Sequence, residues 1–302
     1  MPEFLTLRTN QGRMKVTGFT FIRNAIIYDY PIVESIRSIL PICDDFVVAV
    51  GNSDDVTLEL ILQINPAKIR IIETIWDDSL REGGRVLALE TDKAYKAISD
   101  DTDWAFYIQG DEVIHEKYLV PIKNAMLKWK DHTEVDGLLF DYLHFYGSYD
   151  YVGSSSQWYP HEIRIVRKSD NIYSYRDAQG FRKGDNRKLN VKPANACIYH
   201  YGWVKDPSAM QRKQENFHKL WHPDTWLEKN VVKADEFDYS GIDALKLFDG
   251  THPAVMLERI QNKNWRFDFD IAFSNLSVKD RFKILLKKYL GFEIGYKNYV
   301  KI

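Results

Sequence analysis

The sequence of 302 residues contains only two cysteines, Cys43 and Cys197, which lie far apart in the chain. Two thiols without a metal-type spacing are neither a disulfide framework nor a zinc site, and they favour a reducing, cytoplasmic location. No stretch approaches the roughly 20 apolar residues that a membrane-spanning helix requires. We therefore expect a cytoplasmic protein whose chain does not cross a membrane.

The chain also lacks an excess of charge of either sign. Its 41 basic and 43 acidic residues give a formal net charge of -2, which excludes a nucleic-acid partner held by bulk positive charge. Neither a GxxxxGK[ST] loop nor a GxGxxG after the first predicted strand is present, and this disfavours a nucleotidyltransferase or another common nucleotide-using enzyme. Aromatic residues are abundant at 14%, and aromatic rings pack cores as well as stacking on sugars and bases.

Apolar runs alternate with helical periodicity through the first half of the chain. The runs at 15–24, 45–55, 68–76 and 104–112 predict strands, and the segments between them predict helices. This order predicts an α/β fold in which a mostly parallel sheet carries helices on both faces. Ligands of such sheets bind outside the carboxyl ends of the strands, so the segments "FIRN", "GNSDD" and "QGDE" are expected to meet at one edge.

The second half of the chain has a different pattern. After about Trp129 strand patterns follow one another without clear helices, and helical periodicity returns only from Pro207. We expect one continuous domain over 14–215 and a C-terminal helical extension over 216–302. Residues 1–13 lack the apolar core of a signal peptide. Because Met14 begins the segment "MKVTGFTFIRN", which resembles a natural start, an added or disordered leader is expected over residues 1–13.

The segment "DWAFYIQGDEVI", residues 103–114, ends a predicted buried strand in two adjacent acids, Asp111 and Glu112. Like charges are costly to bury without a cation or hydrogen-bond donors. Their position at the mouth of the strand predicts contact with a ligand or a metal. The alternative is that the two acids cap the following helix, because carboxylates are favourable at a helix N-terminus.

Several segments, taken in order, resemble the GT-A glycosyltransferases, in particular the family-2-type bacterial enzymes of polysaccharide and glycan biosynthesis. Residues 16–57 resemble the opening strand, helix and second strand with a "DxGSxDxT"-type turn, and "DWAFYIQGDEVI" resembles the segment of the Asp-x-Asp metal motif. "HEIRIVRK", "YRDAQGF" and "IYHYGWV" resemble later segments on the acceptor side. The likeness implies a GT-A (Rossmann-like) fold with a nucleotide-binding half, 14–130, and an acceptor-side half, 131–215.

The resemblance implies transfer of a sugar from a UDP- or GDP-sugar donor to a glycan or lipid-linked acceptor, with inversion at the anomeric carbon. A divalent cation, Mn²⁺ or Mg²⁺, would neutralise the diphosphate leaving group. Asp111 matches the metal-binding second acid of the motif, and Gln109 stands at the position of the first acid. His200 matches a position that approaches the metal or the diphosphate, and the alternative for it is a hydrogen-bonded structural histidine.

The resemblance implies that eight residues bind the nucleotide. They come from the first strand, the turn after the second strand, the third helix and the metal segment. They are Thr20, Phe21, Arg23, Asn52, Ser53, Asp54, Arg85 and Gln109. Gly51 stands where the family usually has an acid. The alternative for the residues after Gly51 is an ordinary turn without a ligand, in which Ser53 or Asp55 caps the next helix. The guanidinium of Arg85 suits a diphosphate, and the alternative is a solvated helix charge.

An inverting transferase also needs a base that deprotonates the acceptor hydroxyl. The resemblance points to Asp177 in "YRDAQGF" as this base. Glu162 and Asp141 are the rival candidates. The alternative is that Asp177 is a loop acid without a catalytic role. Three aromatic side chains are expected to stack on the acceptor sugar, with packing as their alternative. They are Trp158, Tyr159 and Trp203.

The C-terminal segment predicts an amphipathic helix with basic flanks. One helical face carries Val278, Phe282, Leu285, Leu286 and Tyr289. Between positions 279 and 301 there are seven basic and two acidic residues. Such a helix predicts peripheral contact with the inner face of a membrane, which would suit a lipid-linked acceptor. The alternative is a helix docked on its own domain.

A second function of a different class stays open. Gln109 and Gly51 depart from the family pattern, and both departures favour a nucleotide-sugar or glycan binding module that has lost catalysis. Donor hydrolysis in the presence of Mn²⁺ would separate the two functions, because a binding module would bind the nucleotide without turnover.

Overall fold

The structure is a computed structural model that describes residues 13–231, 233–291 and 294–302. Its strands are β1 (Val16–Ile22), β2 (Asp45–Gly51), β3 (Ile69–Thr74), β4 (Trp104–Tyr107), β5 (Glu112–Ile114), β6 (Gly137–Tyr146), β7 (Ser148–Gly153), β8 (His161–Arg167), β9 (Ile172–Tyr175), β10 (Gly180–Lys183), β11 (Arg187–Trp203), β12 (Leu245–Leu247) and β13 (Tyr299–Lys301). Its α-helices are α1 (Ile32–Ile39), α2 (Thr57–Leu62), α3 (Arg85–Lys96), α4 (Leu119–Trp129), α5 (Pro207–Lys219), α6 (Asp224–Asn230), α7 (Leu257–Gln261) and α8 (Val278–Leu290).

A parallel half and a mixed half make up the sheet. Strands β3, β2, β1 and β4 lie side by side in that order and are parallel. Strand β8 is antiparallel to both β4 and β6, and β6 pairs in parallel with the long strand β11. The helices α1, α2 and α3 connect the four parallel strands in the predicted alternation. The predicted α/β fold with a mostly parallel sheet is confirmed.

Helices cover both faces of the sheet, and neighbouring residues of a central strand therefore pack in different cores. Phe46 and Val48 of β2 pack in the core that contains α1 and α4. Val47 and Ala49 of the same strand pack in the core that contains α3. Side chains alternate in direction along a strand, so a strand buried on both faces requires the continuous apolar run seen at residues 46–50.

The C-terminal segment adds strands as well as helices. Besides α6, α7 and α8 it contains β12, which pairs with β7, and β13, which pairs with β11. Helix α5 runs across the expected boundary at residue 215. The expected leader lies outside the described residues except for Arg13. Across the described ranges, no helix has both the length and the apolar character needed to span a bilayer.

Candidate functional site

The adjacent acids Asp111 and Glu112 have separate cationic partners. Glu112 is fully buried at the start of β5, where Arg164 donates from Nη2 and Nε to its two carboxylate oxygens at 2.7 and 2.8 Å. Asp111 faces a cavity and accepts a hydrogen bond from Lys213 Nζ at 3.1 Å. A cation for each carboxylate offsets the cost of removing both from water. Helix capping is not their role, because the side chain of His115 caps the next helical turn.

Two neighbouring cavities lie outside the carboxyl ends of the parallel strands. The first has a volume of about 460 Å³, the second a volume of about 490 Å³, and helix α5 closes one side of the first. The wall of the first cavity includes Phe21, Arg23, Tyr30, Trp76, Gln109, Asp111, Asp177, His200, Trp203 and Lys213. The wall of the second is formed by Gly83, Gln109, Tyr159, Arg164, Arg176, Asp177, Gln179 and Trp221. Gln109 and Asp177 line both cavities, so the two meet at these side chains.

A pair of histidines fixes the protonation pattern beside Asp111. His144 Nε2 lies 2.8 Å from the carbonyl oxygen of Tyr159, and because a carbonyl only accepts, this nitrogen carries the proton. Neutral His144 therefore accepts at Nδ1 from His200 Nδ1, 3.1 Å away. Burial lowers the pKa of both imidazoles, that of His144 to about 3. Neutral His200 then presents the lone pair of Nε2 to Asp111 Oδ1 at 3.7 Å.

Asp111 and His200 are the two candidate metal ligands on the wall of the first cavity, and Asp111 is also paired with Lys213 Nζ at 3.1 Å. Burial by itself would raise the pKa of Asp111, but the nearby ammonium group of Lys213 contributes most to holding it well below its usual value. A carboxylate oxygen suits Mn²⁺ or Mg²⁺, whereas an imidazole nitrogen is a ligand for transition metals rather than for Mg²⁺. Within the described part of the chain no group of three or more His, Cys, Asp or Glu side chains converges. The protein would therefore supply two ligands and leave the other positions to a bound molecule or to water.

Three of the residues predicted to bind the nucleotide line the first cavity. They are Phe21, Arg23 and Gln109. The guanidinium of Arg23 donates to Asp78 at 2.6 Å and lies 5.6 Å from the ring centroid of Trp76. Phe21 packs on the same indole with ring centroids 5.8 Å apart. These contacts make an aromatic wall whose outer edge carries a guanidinium.

The other five residues predicted to bind the nucleotide lie on neither cavity wall. They are Thr20, Asn52, Ser53, Asp54 and Arg85. Thr20 is fully buried in β1. Asn24 binds the turn after β2, donating from its backbone N–H to Ser53 Oγ at 3.0 Å and accepting from the Asp54 N–H at 2.7 Å. Ser53 and the Asp54 N–H are thus bonded within the fold, whereas the side chains of Asn52, Asp54 and Arg85 are exposed to solvent.

Trp76 fills the space beside Gly51, the position at which the GT-A enzymes that the sequence resembles usually have an acid. A Cβ on Gly51 would lie 2.3 Å from Trp76 Nε1, closer than real Cβ contacts come. Only glycine therefore lets the indole lie against the end of β2. At the end of β2 the cavity wall therefore presents the aromatic face of Trp76.

Asp177 lies in the loop between β9 and β10 with strained backbone on both sides. Its neighbours Arg176 and Ala178 have φ values of 58° and 64°, a left-handed region that costs a residue with a Cβ roughly 1 kcal/mol or more. Gln109 Nε2 donates to the carbonyl oxygen of Ala178 at 3.1 Å. A carboxylate at position 109 could not make this bond, so Gln109 holds the loop that carries Asp177. Burial also raises the pKa of Asp177, as suits a group that must accept a proton.

Neither rival of Asp177 lies on a cavity wall. The carboxylate of Asp141 is largely exposed and pairs with His161 at 2.8 Å. Glu162 is buried and accepts from Gln179 Nε2 at 3.0 Å. Of the three acids, Asp177 is the one whose side chain lines both cavities.

Burial raises the pKa of Glu162 from its ordinary value of 4.5 to about 7. As pH rises, this carboxyl ionises at a lower pH in the unfolded chain than in the folded protein. The stability of the wild type should therefore decrease as pH rises from about 4.5 to about 7. We expect the free energy of unfolding of the wild type to fall by roughly 3 kcal/mol relative to that of Glu162→Gln between about pH 5 and pH 8. Urea unfolding of both proteins at the two pH values measures the difference. Parallel pH dependences would contradict the buried, protonated carboxyl.

The three aromatic residues predicted for the acceptor have different surroundings. Trp203 lines the first cavity and Tyr159 the second. Trp158 lies on neither wall; its indole covers Gly153 and stacks on His144 with ring centroids 5.1 Å apart. The indole of Trp158 thus packs against one ring of the histidine pair.

Lys213 of α5 is a site residue that the sequence did not indicate. Its ammonium donates to Asp111 at 3.1 Å and to the carbonyl of Gly202 at 2.9 Å, and it lies 5.0 Å from the ring centroid of Tyr30. Asp111 is 102 positions away in the chain, and Lys213 belongs to the unremarkable polar stretch "QRKQENFHK". No local pattern distinguishes it from the surface lysines around it.

Comparison with known proteins finds distant structural similarities. No family model and no curated protein matches the chain. Among solved structures, S. aureus TarS 1-349 in complex with UDP aligns with 74% of this chain and 68% of its own at 16% identity and a TM-score of 0.40. Glucosyl-3-phosphoglycerate synthase from Mycobacterium tuberculosis, in complex with Mn²⁺, UDP and phosphoglyceric acid, aligns over 43% of both chains at 17% identity and a TM-score of 0.29.

A third match is 4-diphosphocytidyl-2C-methyl-D-erythritol synthase from Anaerococcus prevotii, at 13% identity and a TM-score of 0.36 over 64% of this chain and 92% of its own. The chain spans 41% of the longer S. aureus TarS structure. Likenesses this distant carry no conclusion about activity, which has to be argued from the two cavities and the side chains between them. The chain has the α/β architecture that its resemblance to the GT-A glycosyltransferases implied.

Proposed function

We propose that this protein is a glycosyltransferase that moves a sugar from a UDP- or GDP-sugar to a hydroxyl of a glycan or lipid-linked acceptor. The observation that carries the proposal is the meeting of two cavities at Asp177, with Asp111 and His200 on the wall of the first. The first cavity would hold the donor, and the second would hold the acceptor. A transfer reaction needs both substrates to reach one catalytic group, and this junction provides such a place.

The wall of the first cavity suits the parts of a nucleotide sugar. Phe21 and Trp76 offer an aromatic face to the base, with Arg23 beside it. Asp111 and His200 would hold Mn²⁺ or Mg²⁺, which supplies the positive charge that stabilises a departing diphosphate. Lys213 compensates part of the charge of Asp111 in the same place. Without that compensation, the carboxylate would repel the diphosphate.

Asp177 would act as the base of a direct displacement. Its carboxylate takes the proton of the acceptor hydroxyl while the hydroxyl oxygen forms a bond to the anomeric carbon. The bond from that carbon to the diphosphate oxygen breaks, and its electrons leave with the nucleoside diphosphate. Attack from the side opposite the leaving group inverts the anomeric configuration, and one positioned carboxylate is enough for this chemistry.

Calorimetric titration of UDP and GDP tests the donor site. We expect the wild type to bind one of the two nucleotides more tightly with Mn²⁺ than without it, and Asp111→Asn to lose this metal dependence. Asp185→Asn, which changes an exposed acid off both cavity walls, is the matched control and should behave as the wild type. Absence of nucleotide binding would overturn the proposed function. Nucleotide binding that depends neither on Mn²⁺ nor on Asp111 would show that the metal has no part in the proposed function.

Gly51 provides a second test of the same cavity. We expect Gly51→Ala to displace the indole of Trp76 and to weaken nucleotide binding by roughly 1–3 kcal/mol, the value of one base–aromatic stack. Gly241→Ala is the control, since a Cβ on Gly241 meets no atom within 4 Å. Titrations of both variants measure the change. Unaltered affinity in Gly51→Ala would place the base away from Trp76.

A further inference from the structure

Helix α8 contacts the body of the protein along one side. Asp280 and Lys283 are half-buried, and the carboxylate of Asp280 accepts hydrogen bonds from the hydroxyls of Ser277 and Ser156. The N–H of Asp280 returns a bond to Ser277 Oγ at 3.1 Å, which caps the start of the helix. Ile284, one position beyond Lys283, is half-buried on the same side. The half-buried residues among those described in α8 are thus Asp280 and Lys283, which make its polar contacts, and the apolar Ile284 and Leu286.

The opposite side of α8 is apolar and exposed. Its side chains recur at intervals of three or four residues, which places them on one stripe of a helix with about 3.6 residues per turn. Their exposed fractions are 86% for Val278, 58% for Phe282, 51% for Leu285 and 70% for Tyr289. A docked amphipathic helix would bury such a stripe against its own domain. This one turns it to solvent, which disfavours the alternative considered for this helix.

Positive charge flanks the apolar stripe. Lys279, Arg281 and Lys288 are exposed beside it. Asp280, the single acid in the sequence of α8, is turned toward the body of the protein. The outward side of the helix consequently combines large apolar side chains with basic groups.

We infer that the outward face of α8 docks on an anionic phospholipid surface. A helix with an apolar stripe between basic residues lies in the plane of the interface, where its apolar side chains enter the acyl boundary and its cations meet lipid phosphates. A second copy of the same helix is a poorer partner, because pairing two such stripes would bring basic flanks together. Charge complementarity therefore selects lipid over self-association.

The position of α8 connects this surface to the proposed acceptor site. Ser156, its anchor, lies two residues before Trp158 and three before Tyr159, which lines the second cavity. Docking at α8 would hold the second cavity close to the lipid surface. This connection rests on the proposed glycosyltransferase function, whereas the docking itself does not.

Flotation of the full chain with vesicles tests the inference. We expect the wild type to float with vesicles that contain phosphatidylglycerol and not with phosphatidylcholine alone. The double variant Phe282→Glu/Leu285→Glu should lose flotation. Val120→Glu, the same type of change at an exposed position of α4, is the matched control and should retain it. Arg281→Glu/Lys288→Glu should weaken binding by at least about fivefold for each charge removed.

Flotation of Phe282→Glu/Leu285→Glu equal to that of the wild type would overturn the inference, as would absence of wild-type flotation. A dimer of the wild type that this double variant abolishes, without vesicle binding, would assign the stripe to a second copy and also overturn it. Nucleotide titrations of the same variants should match the wild type. A failed donor site would appear in those titrations alone, so failure of docking and failure of the proposed function are distinguishable.

Discussion

Asp177→Asn is expected to lower the turnover of sugar nucleotide by about 10²–10⁴-fold, the typical contribution of a positioned general base. Asparagine keeps the size of the side chain but cannot accept the proton of the attacking hydroxyl. Nucleotide affinity should stay unchanged, because the proposed contacts of base and diphosphate are elsewhere in the first cavity. Release of UDP or GDP from donor, with water as acceptor, measures turnover without knowledge of the natural acceptor.

Two variants keep this result interpretable. Asp185→Asn changes an exposed acid in the turn after β10 and should turn over donor as the wild type does. Glu162→Gln removes the buried rival carboxyl and should also retain turnover. If Glu162→Gln were inactive and Asp177→Asn active, the base would have been assigned to the wrong acid.

Arg164→Met is expected to cost about 3–5 kcal/mol of the free energy of unfolding, the usual loss when one partner of a buried ion pair is removed. Arg164 is 1% exposed and donates to both oxygens of Glu112. The variant leaves that carboxylate with the Tyr142 hydroxyl at 2.7 Å and the Gln109 N–H at 3.1 Å, and with no cation. Urea unfolding measures the loss.

The double variant Arg164→Met/Glu112→Leu separates the broken pair from the altered packing. Replacing both charges of a buried pair by apolar groups is often close to neutral, but Glu112→Leu also leaves the Tyr142 hydroxyl and the Gln109 N–H without their acceptor. We therefore expect part of the lost stability to return. A loss below about 1 kcal/mol in Arg164→Met alone would contradict the buried ion pair. Equal losses in the single and double variants would assign the effect to packing around β8.

The sequence predicted β1, β2 and β3 well, because their apolar runs are long and the helices between the strands carry clear periodicity. The fourth predicted strand, 104–112, was too long: β4 ends at Tyr107, and Glu112 begins the separate strand β5. The sequence did not predict β12 and β13, which have three residues each. A run that short contains too few side chains for a period of two to be recognised. Their pairing with β7 and β11 is a tertiary contact without a local signal.

In the candidate site, too, the residues that could not be predicted are those whose roles depend on contacts with residues distant in the sequence. Asp111, His200 and Asp177 were predicted from motifs, and all three line the first cavity. Lys213 and Trp76 were not predicted, because their roles depend on which distant side chain they meet. Motifs of single residues could not show that Ser53 and Asp54 in the turn after Gly51 are hydrogen-bonded to Asn24. They also could not show that Gln109 is hydrogen-bonded to the loop that carries Asp177.

Turnover of sugar nucleotides is the most direct test of the proposed glycosyltransferase activity. Wild type, Asp111→Asn and Asp177→Asn would each be incubated with UDP- and GDP-sugars, with Mn²⁺ or with a chelator, and the released nucleotide would be quantified. We predict that the wild type releases UDP or GDP only in the presence of the metal, and that both variants have lost this release. Nucleotide that binds but is never released from its sugar under any of these conditions would contradict a transferase and indicate a binding module.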